Sequence, residues 1–186
     1  MRYFQRIATG VDVLPLCHAL ARKHHLFNQH RLRTTFPNTP HAEVDDMVLR
    51  YSDPEQCPTA GTVMGAVQNV WYPAWKELPE ARPIISALMH RVGGYELGRV
   101  LVSKIRPGKR VLPHADDEGE YVHLGDIARY HIVLQGLPGA LFRTGDEVVS
   151  MRTGEVWWFD AHAVHEIVNN SQDDRIHLIA DVRLLP

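Results

Sequence analysis

From Glu96 onward, apolar residues recur at about every second position in short runs: Glu96–Arg106, Arg129–Gln135, Ala140–Arg143, Glu147–Met151, Glu155–Phe159, Ala163–Val168 and Arg175–Arg183. Turn-forming residues punctuate the gaps, as Pro-Gly-Lys, Leu-Pro-Gly, Thr-Gly-Asp, Arg-Thr-Gly and Asn-Asn-Ser-Gln-Asp-Asp. Alternation bounded by such signals predicts strands, and several short strands in succession predict an all-β sandwich or barrel.

The alternation also sorts faces. In Arg175–Arg183, Ile176, Leu178, Ala180 and Val182 lie on one side, with Arg175, His177, Ile179 and Asp181 on the other. In Arg129–Gln135, Tyr130, Ile132 and Leu134 oppose Arg129, His131, Val133 and Gln135. Each strand offers an apolar face to a core and an ionisable face elsewhere. That second face is either solvated or the lining of a polar barrel mouth.

The first ninety-four residues are less regular. Val13–Lys23 predicts a short helix with Asp12 as its N-cap, and 34–41 a loop. Residues 63–68 are ambiguous. Residues 83–92 predict a helix with Pro83 at its start, stopped by Gly93-Gly94. The expectation is one domain, 1–186, in which a helical and loop wall (1–94) packs on one face of a β-core (95–186).

Composition narrows the class. At 186 residues, with 45% hydrophobic and 23% charged residues, the chain can bury a sizeable core. A net charge of -2 argues against nucleic acid as an obligatory partner. The Lys and Arg residues within 1–40, set against the single acid Asp12, form either a basic lobe or a solvated face. Cys17 and Cys57 stand in no metal-ligand spacing and suit a reducing compartment. No stretch has the length of a membrane span and no signal-peptide core is present, so a cytoplasmic location is expected. Twelve histidines turn attention to metal chemistry.

His114-Ala115-Asp116 places an imidazole and a carboxylate on the same side of an extended chain. Such pairs also arise by chance at surfaces. The pair gains weight from His165, far downstream in the Ala163–Val168 run. Two histidines and a carboxylate leave three positions open on an octahedral iron, enough for a bidentate 2-oxo acid and O2. Arg175, ten residues after His165 on the ionisable face of the last strand, offers a fork for the distal carboxylate of such an acid. Otherwise it is a strand-end arginine paired with Asp173 or Asp174.

These residues sit in the pieces LPHADDEG, RYHIVLQG and GEVWWFDAHAVHEIVNNSQDDRIHLIADVRL. Through them, roughly the last half of the chain resembles the aspartyl/asparaginyl β-hydroxylase family of Fe(II)- and 2-oxoglutarate-dependent oxygenases. The resemblance implies a double-stranded β-helix, a cupin-like jelly roll, with iron and 2-oxoglutarate in its mouth. It implies His114 and His165 as iron ligands and Arg175, Arg129, His131 and Ser103 as contacts of 2-oxoglutarate. Asp116 is the carboxylate favoured by spacing, with Asp117 as rival. The stretch 117–126 is longer than the family pattern and acidic, either a lid or a solvated hairpin.

The family implies a hydroxylase acting with O2 on an Asp or Asn side chain, or another amino acid, in a peptide or free. Arg50, Arg143, His177 and Trp158 are candidates for substrate contact. His162, close to His165, is expected at the surface. Three alternatives remain open. A nucleobase or nucleic-acid hydroxylase would use Arg99, Lys104, Arg106, Lys109 and Arg110 on phosphates. A metal-dependent cupin isomerase would not need Arg175. A ligand-binding jelly roll would need neither histidine.

Overall fold

The protein is described by a computed structural model covering residues 1–53, 69–116 and 127–184. Cys57, the ambiguous 63–68 segment and the acidic 117–126 stretch, with Asp117, lie outside the described residues. In chain order the elements are β1 (Phe4–Ala8), α1 (Leu14–Arg22), β2 (Asp45–Ser52), β3 (Asn69–Trp71), α2 (Ala74–Glu77), α3 (Ala81–Val92), β4 (Gly94–Ile105) and β5 (Arg110–His114). Then follow β6 (Ile127–Gln135), β7 (Ala140–Thr144), β8 (Glu147–Val149), β9 (Val156–Phe159), β10 (His165–Asn169) and β11 (Arg175–Leu184).

Two antiparallel sheets face each other in a double-stranded β-helix. The larger runs β1-β9-β6-β11-β4-β2-β3 and the smaller β5-β10-β7-β8. Alternation on β6 and β11 decides what each face of the large sheet meets. Tyr130, Ile132, Leu134, Leu178, Ala180 and Val182 form one core with Leu16, Ala19 and Leu20 of α1 and Ile84, Ile85 and Leu88 of α3. Burying one such large aliphatic side chain contributes about 1.5–3 kcal/mol, so the helices are held by this stripe and not by their caps. Asp12 accepts the Leu14 N–H at 3.2 Å, one position outside the cap residue Val13. Gly93, at φ 67°, ends α3 in the left-handed conformation the sequence asks for.

A second core fills the space between the sheets, with Phe4, Val111, Val133, Phe142, Trp157, Phe159 and Ile167. The ionisable face of β11 looks into this space. Arg175, His177 and Asp181 are all buried, so that face is not solvated.

The seven predicted strands are present within one to two residues at their ends. The first half of the chain departs from the expected helical and loop wall, because β1 closes one edge of the large sheet and β2 and β3 the other. β2 lies between β4 and β3 and is buried on both faces, so it reads as the apolar run Met47-Val48-Leu49 and not as alternation. β5 contains Pro113, tolerated because β5 is an edge strand. No helix among the described residues is long and apolar enough to cross a membrane.

Candidate active site

β10 pairs antiparallel with β5 in a register that sets His165 opposite His114. Their rings lie 4.2 Å apart, centroid to centroid. Asp116 follows two residues on and donates its N–H to Ala161 O at 3.0 Å, which ties it to the turn before β10. Asp116 Oδ1 lies 3.7 Å from His114 Nε2 and 4.0 Å from His165 Nε2. Among the described residues, this trio is the group of His, Cys, Asp and Glu able to share one metal ion, its ligand atoms all within 4.8 Å of one another.

The tautomers follow from the partners. His114 Nδ1 lies 2.8 Å from Leu112 O, and His165 Nδ1 lies 3.0 Å from Ala163 O. A carbonyl only accepts, so each Nδ1 carries the hydrogen and each Nε2 presents a lone pair to the shared space. Burial pushes His165 down to about 4 and lowers His114 as well, leaving both neutral at neutral pH. Burial alone would raise the Asp116 carboxyl; Arg129 first, then the two histidines, outweigh it and hold the carboxyl below its ordinary value.

Arg129 is engaged by two acids. Nε and Nη2 donate to Asp181, and Nη1 donates to Asp116 Oδ2. This leaves Asp116 Oδ1 turned toward the histidines. Gly98 makes room for the arrangement, since a Cβ there would stand 3.1 Å from Asp181 Cβ.

Arg175 is different. It is 3% exposed and has no carboxylate partner among the described residues. Its Nη2 lies 3.1 Å from His177 Nδ1, its Nη1 is unpartnered, and its guanidinium rests 5.7 Å from the centroid of Phe142. Burial without a counter-ion lowers its pKa to about 9. A guanidinium only donates, so His177 Nδ1 accepts and its Nε2 carries a hydrogen with no partner. His131 Nδ1 lies 3.2 Å from the same His177 nitrogen. Thr144 Oγ1, in the strand position opposite His165, is also buried and unpartnered. Unsatisfied buried donors beside an unpaired cation make a polar recess suited to an anion.

A cavity of about 30 Å³ lies against His114 and His165 and extends to His131 and Phe142, the side chains that border His177 and Arg175. Ser103, His114, His131, Phe142, Phe159 and His165 are among its walls. Two further residues come from the loop before β2. Arg33 is clamped by Asp46, at 2.7 and 3.0 Å, and donates to Ser103 Oγ at 3.2 Å. His41 is buried with its ring 4.9 Å from that of His114. No spacing in the sequence signals either one, because the loop reaches the site by folding and not by register. Thr144 looked like an ordinary turn residue.

Three expected contacts fall elsewhere. Arg143 lies between the inward Phe142 and Thr144, so it points outward and pairs with Glu166 at 3.4 Å. The irregularity between Val48 and Arg50 brings Tyr51 onto the inner face beside Leu101 and Ile179. Arg50 instead bonds Leu97 O and covers Trp71. Trp158 packs toward the helix-side core, while its neighbour Trp157 enters the inter-sheet core and donates to Glu155. His162 is exposed, as expected. Of the basic residues suited to phosphates, Lys104 and Arg106 pair with Asp45, Lys109 pairs with Glu43, and Arg99 is buried.

Comparison with known proteins supplies a context for this geometry. The model of the family described as aspartyl/asparaginyl beta-hydroxylase matches residues 62–184. The chain is 38% identical over 72 residues to L-proline cis-3-hydroxylase 1 of Streptomyces sp, a match covering 39% of this chain and 25% of that one. It spans about a quarter of the length of the curated relatives it matches. Its fold is similar to that of a 2OG-Fe(II) oxygenase family oxidoreductase from Burkholderia pseudomallei, with a TM-score of 0.56, 15% identity, and coverage of 89% and 78% of the two chains. It is also similar to a viral collagen prolyl hydroxylase from Paramecium Bursaria Chlorella virus-1, with a TM-score of 0.54, 12% identity, and coverage of 99% and 97%.

Proposed function

The chain belongs to the aspartyl/asparaginyl β-hydroxylase family of Fe(II)- and 2-oxoglutarate-dependent oxygenases, and from this we propose that it hydroxylates an unactivated C–H bond of an amino acid. The side chain of Asp or Asn is one candidate. A free amino acid is the other, supported by relatives whose names give L-proline as substrate.

In this reading His114 Nε2, His165 Nε2 and Asp116 Oδ1 hold the iron, and Arg175 with His177 binds the distal carboxylate of 2-oxoglutarate. Iron, 2-oxoglutarate and O2 together supply oxidation of a C–H bond to an alcohol, with loss of succinate and CO2. The chain's own part is binding, orientation and exclusion of water. Leu112 O and Ala163 O fix the histidine tautomers. Arg129 keeps Asp116 ionised and aims Oδ1. Ser103, His131 and Thr144 offer further polar contacts along the recess, and Phe142 and Phe159 keep its wall apolar. Phe142 lines the cavity and stands against the Arg175 guanidinium, so its ring forms the apolar wall beside the proposed carboxylate contact.

The observation that carries the proposal is Arg175, a buried cation without a counter-ion. A cupin isomerase or a sugar-binding jelly roll has no use for it, whereas a dicarboxylate satisfies it. The test is anaerobic titration with Fe(II) and then 2-oxoglutarate, watching the weak visible charge-transfer band. The band is expected in wild type, absent in His165→Ala and weakened in Arg175→Ala. Wild-type protein that binds Fe(II) yet shows no band and makes no succinate in air would overturn the reading.

A further inference from the structure

Arg99, Leu101 and Ser103 share the inner face of β4 by alternation. Arg99 is 8% exposed, with its guanidinium 4.6 Å above the ring of Tyr51. With Arg33 and Arg129 it lines a second cavity, which Asp116 also borders. The three arginines differ in one respect. Arg33 has Asp46, and Arg129 has Asp181 and Asp116, but Arg99 has no carboxylate partner among the described residues. A stacked ring does not replace an anion for a cation removed from water.

Arg99 and Arg175 stand at opposite ends of the same sheet. Arg175 is opposite Ile105 in the β4–β11 register, and Arg99 lies six residues before Ile105 on β4. At strand rise this separates the two positions by about 20 Å. An anion held by Arg175 therefore cannot also serve Arg99. The two cavities share Arg33, His41, Arg129 and Ile179 as walls; Asp116 borders the first, and His114 and His165 border the second.

We propose that Arg99 is the counter-ion of a carboxylate carried by the substrate, which it anchors beside Asp116. This rests on the oxygenase reading above. The carboxylate comes either from the α-carboxyl of a free amino acid or from an Asp side chain within a peptide, and one arginine suits both. Tyr51 supplies an apolar wall against which the rest of the ligand packs. The cavity is narrow, about 20 Å³, so a ligand entering it parts the side chains that line it.

The experiment uses the anaerobic protein loaded with Fe(II) and 2-oxoglutarate, where no turnover occurs. Calorimetry and perturbation of the charge-transfer band report binding of three probe sets. These are the twenty free L-amino acids, the C-terminal amides of those that bind, and a blocked Ala-Asp-Ala peptide with its Asn counterpart. We expect at least one carboxylate probe to bind and its amide counterpart to bind about tenfold or more weakly. In Arg99→Met that preference is expected to vanish while 2-oxoglutarate still produces the band, which also reports a folded site. Arg99→Lys is expected to restore part of the preference. Three results overturn the proposal: no carboxylate probe binding to wild type, a preference undiminished in Arg99→Met, or loss of 2-oxoglutarate affinity in Arg99→Met. Absence of the band from wild type is the separate failure of the oxygenase reading.

Discussion

Asp181 grips the guanidinium of Arg129 with two parallel hydrogen bonds, Nε to Oδ1 at 2.7 Å and Nη2 to Oδ2 at 3.0 Å. That fork leaves Nη1 pointing at Asp116 Oδ2, so the orientation of a proposed metal ligand depends on an acid 65 residues away on β11. Asp181→Asn keeps the shape but removes the charge and puts a donor against a donor. Partners of this kind commonly contribute about 10–100-fold to metal affinity, and a loss in that range is expected here. Anaerobic Fe(II) titration against a chelator measures it. A lower melting temperature with unchanged affinity would make Asp181 a purely structural residue.

Arg175→Met separates stability from function. Wild type keeps an unpaired cation out of water, and replacing buried charge by an apolar side chain of similar volume is often neutral or stabilising by about 1–4 kcal/mol. The variant is expected to unfold at an equal or higher temperature than wild type. It is also expected to show a weakened charge-transfer response, needing more 2-oxoglutarate to reach it, while still binding Fe(II). Destabilisation by several kcal/mol would show that the contacts to His177 and Phe142 outweigh the cost of the bare charge.

The β-core was legible because period-2 alternation maps directly onto the two faces of β6 and β11. The trio was legible because its members lie on neighbouring strands, where His-x-Asp spacing carries spatial information. Alternation cannot say whether an ionisable face meets water or a second sheet, and the burial of Arg175 and His177 settles that only in three dimensions. β2 carries no alternation in the sequence because it is a strand buried on both faces. Arg33 and His41 escaped because loop residues arrive at a site by tertiary docking. Arg50 and Arg143 point away from the cavity for local reasons, an irregularity in β2 and the inward parity of Phe142 and Thr144 on β7. Asp116 lies beside both histidines, while its rival Asp117 is outside the described residues.

Arg143→Ala tests the parity argument. The side chain points away from the cavity and, among the described residues, pairs with Glu166, in an exposed pair worth about 0–1 kcal/mol. Stability, Fe(II) affinity and the 2-oxoglutarate response are all expected to match wild type. Because Phe142 and Thr144 flank it, a fall in 2-oxoglutarate affinity would mean that β7 sits in a different register.

Asp45 links the loop before β2 to the large sheet, and its titration should be visible in stability. Burial pushes its carboxyl up, but the Asn28 amide at 2.7 Å and Arg106 at 2.8 Å, with Lys104 beyond, outweigh burial and hold it below its ordinary value of 3.8. A carboxylate with a lowered folded value contributes stability at pH above its unfolded value. The contribution is lost as pH falls through the lower folded value. Asp45→Asn is therefore expected to be less stable than wild type by about 0.5–1 kcal/mol at pH 7, a figure reduced by solvent screening of a half-buried group. Urea denaturation from pH 7 to pH 3 should show the two curves converging below pH 4, and added salt should narrow the gap at pH 7. The same contacts steady Asn28, whose N–H bonds Asp46 O at 2.7 Å, and Asp46 is the clamp on Arg33. A constant gap across the whole pH range would assign the effect of Asp45→Asn to packing and remove charge from the explanation.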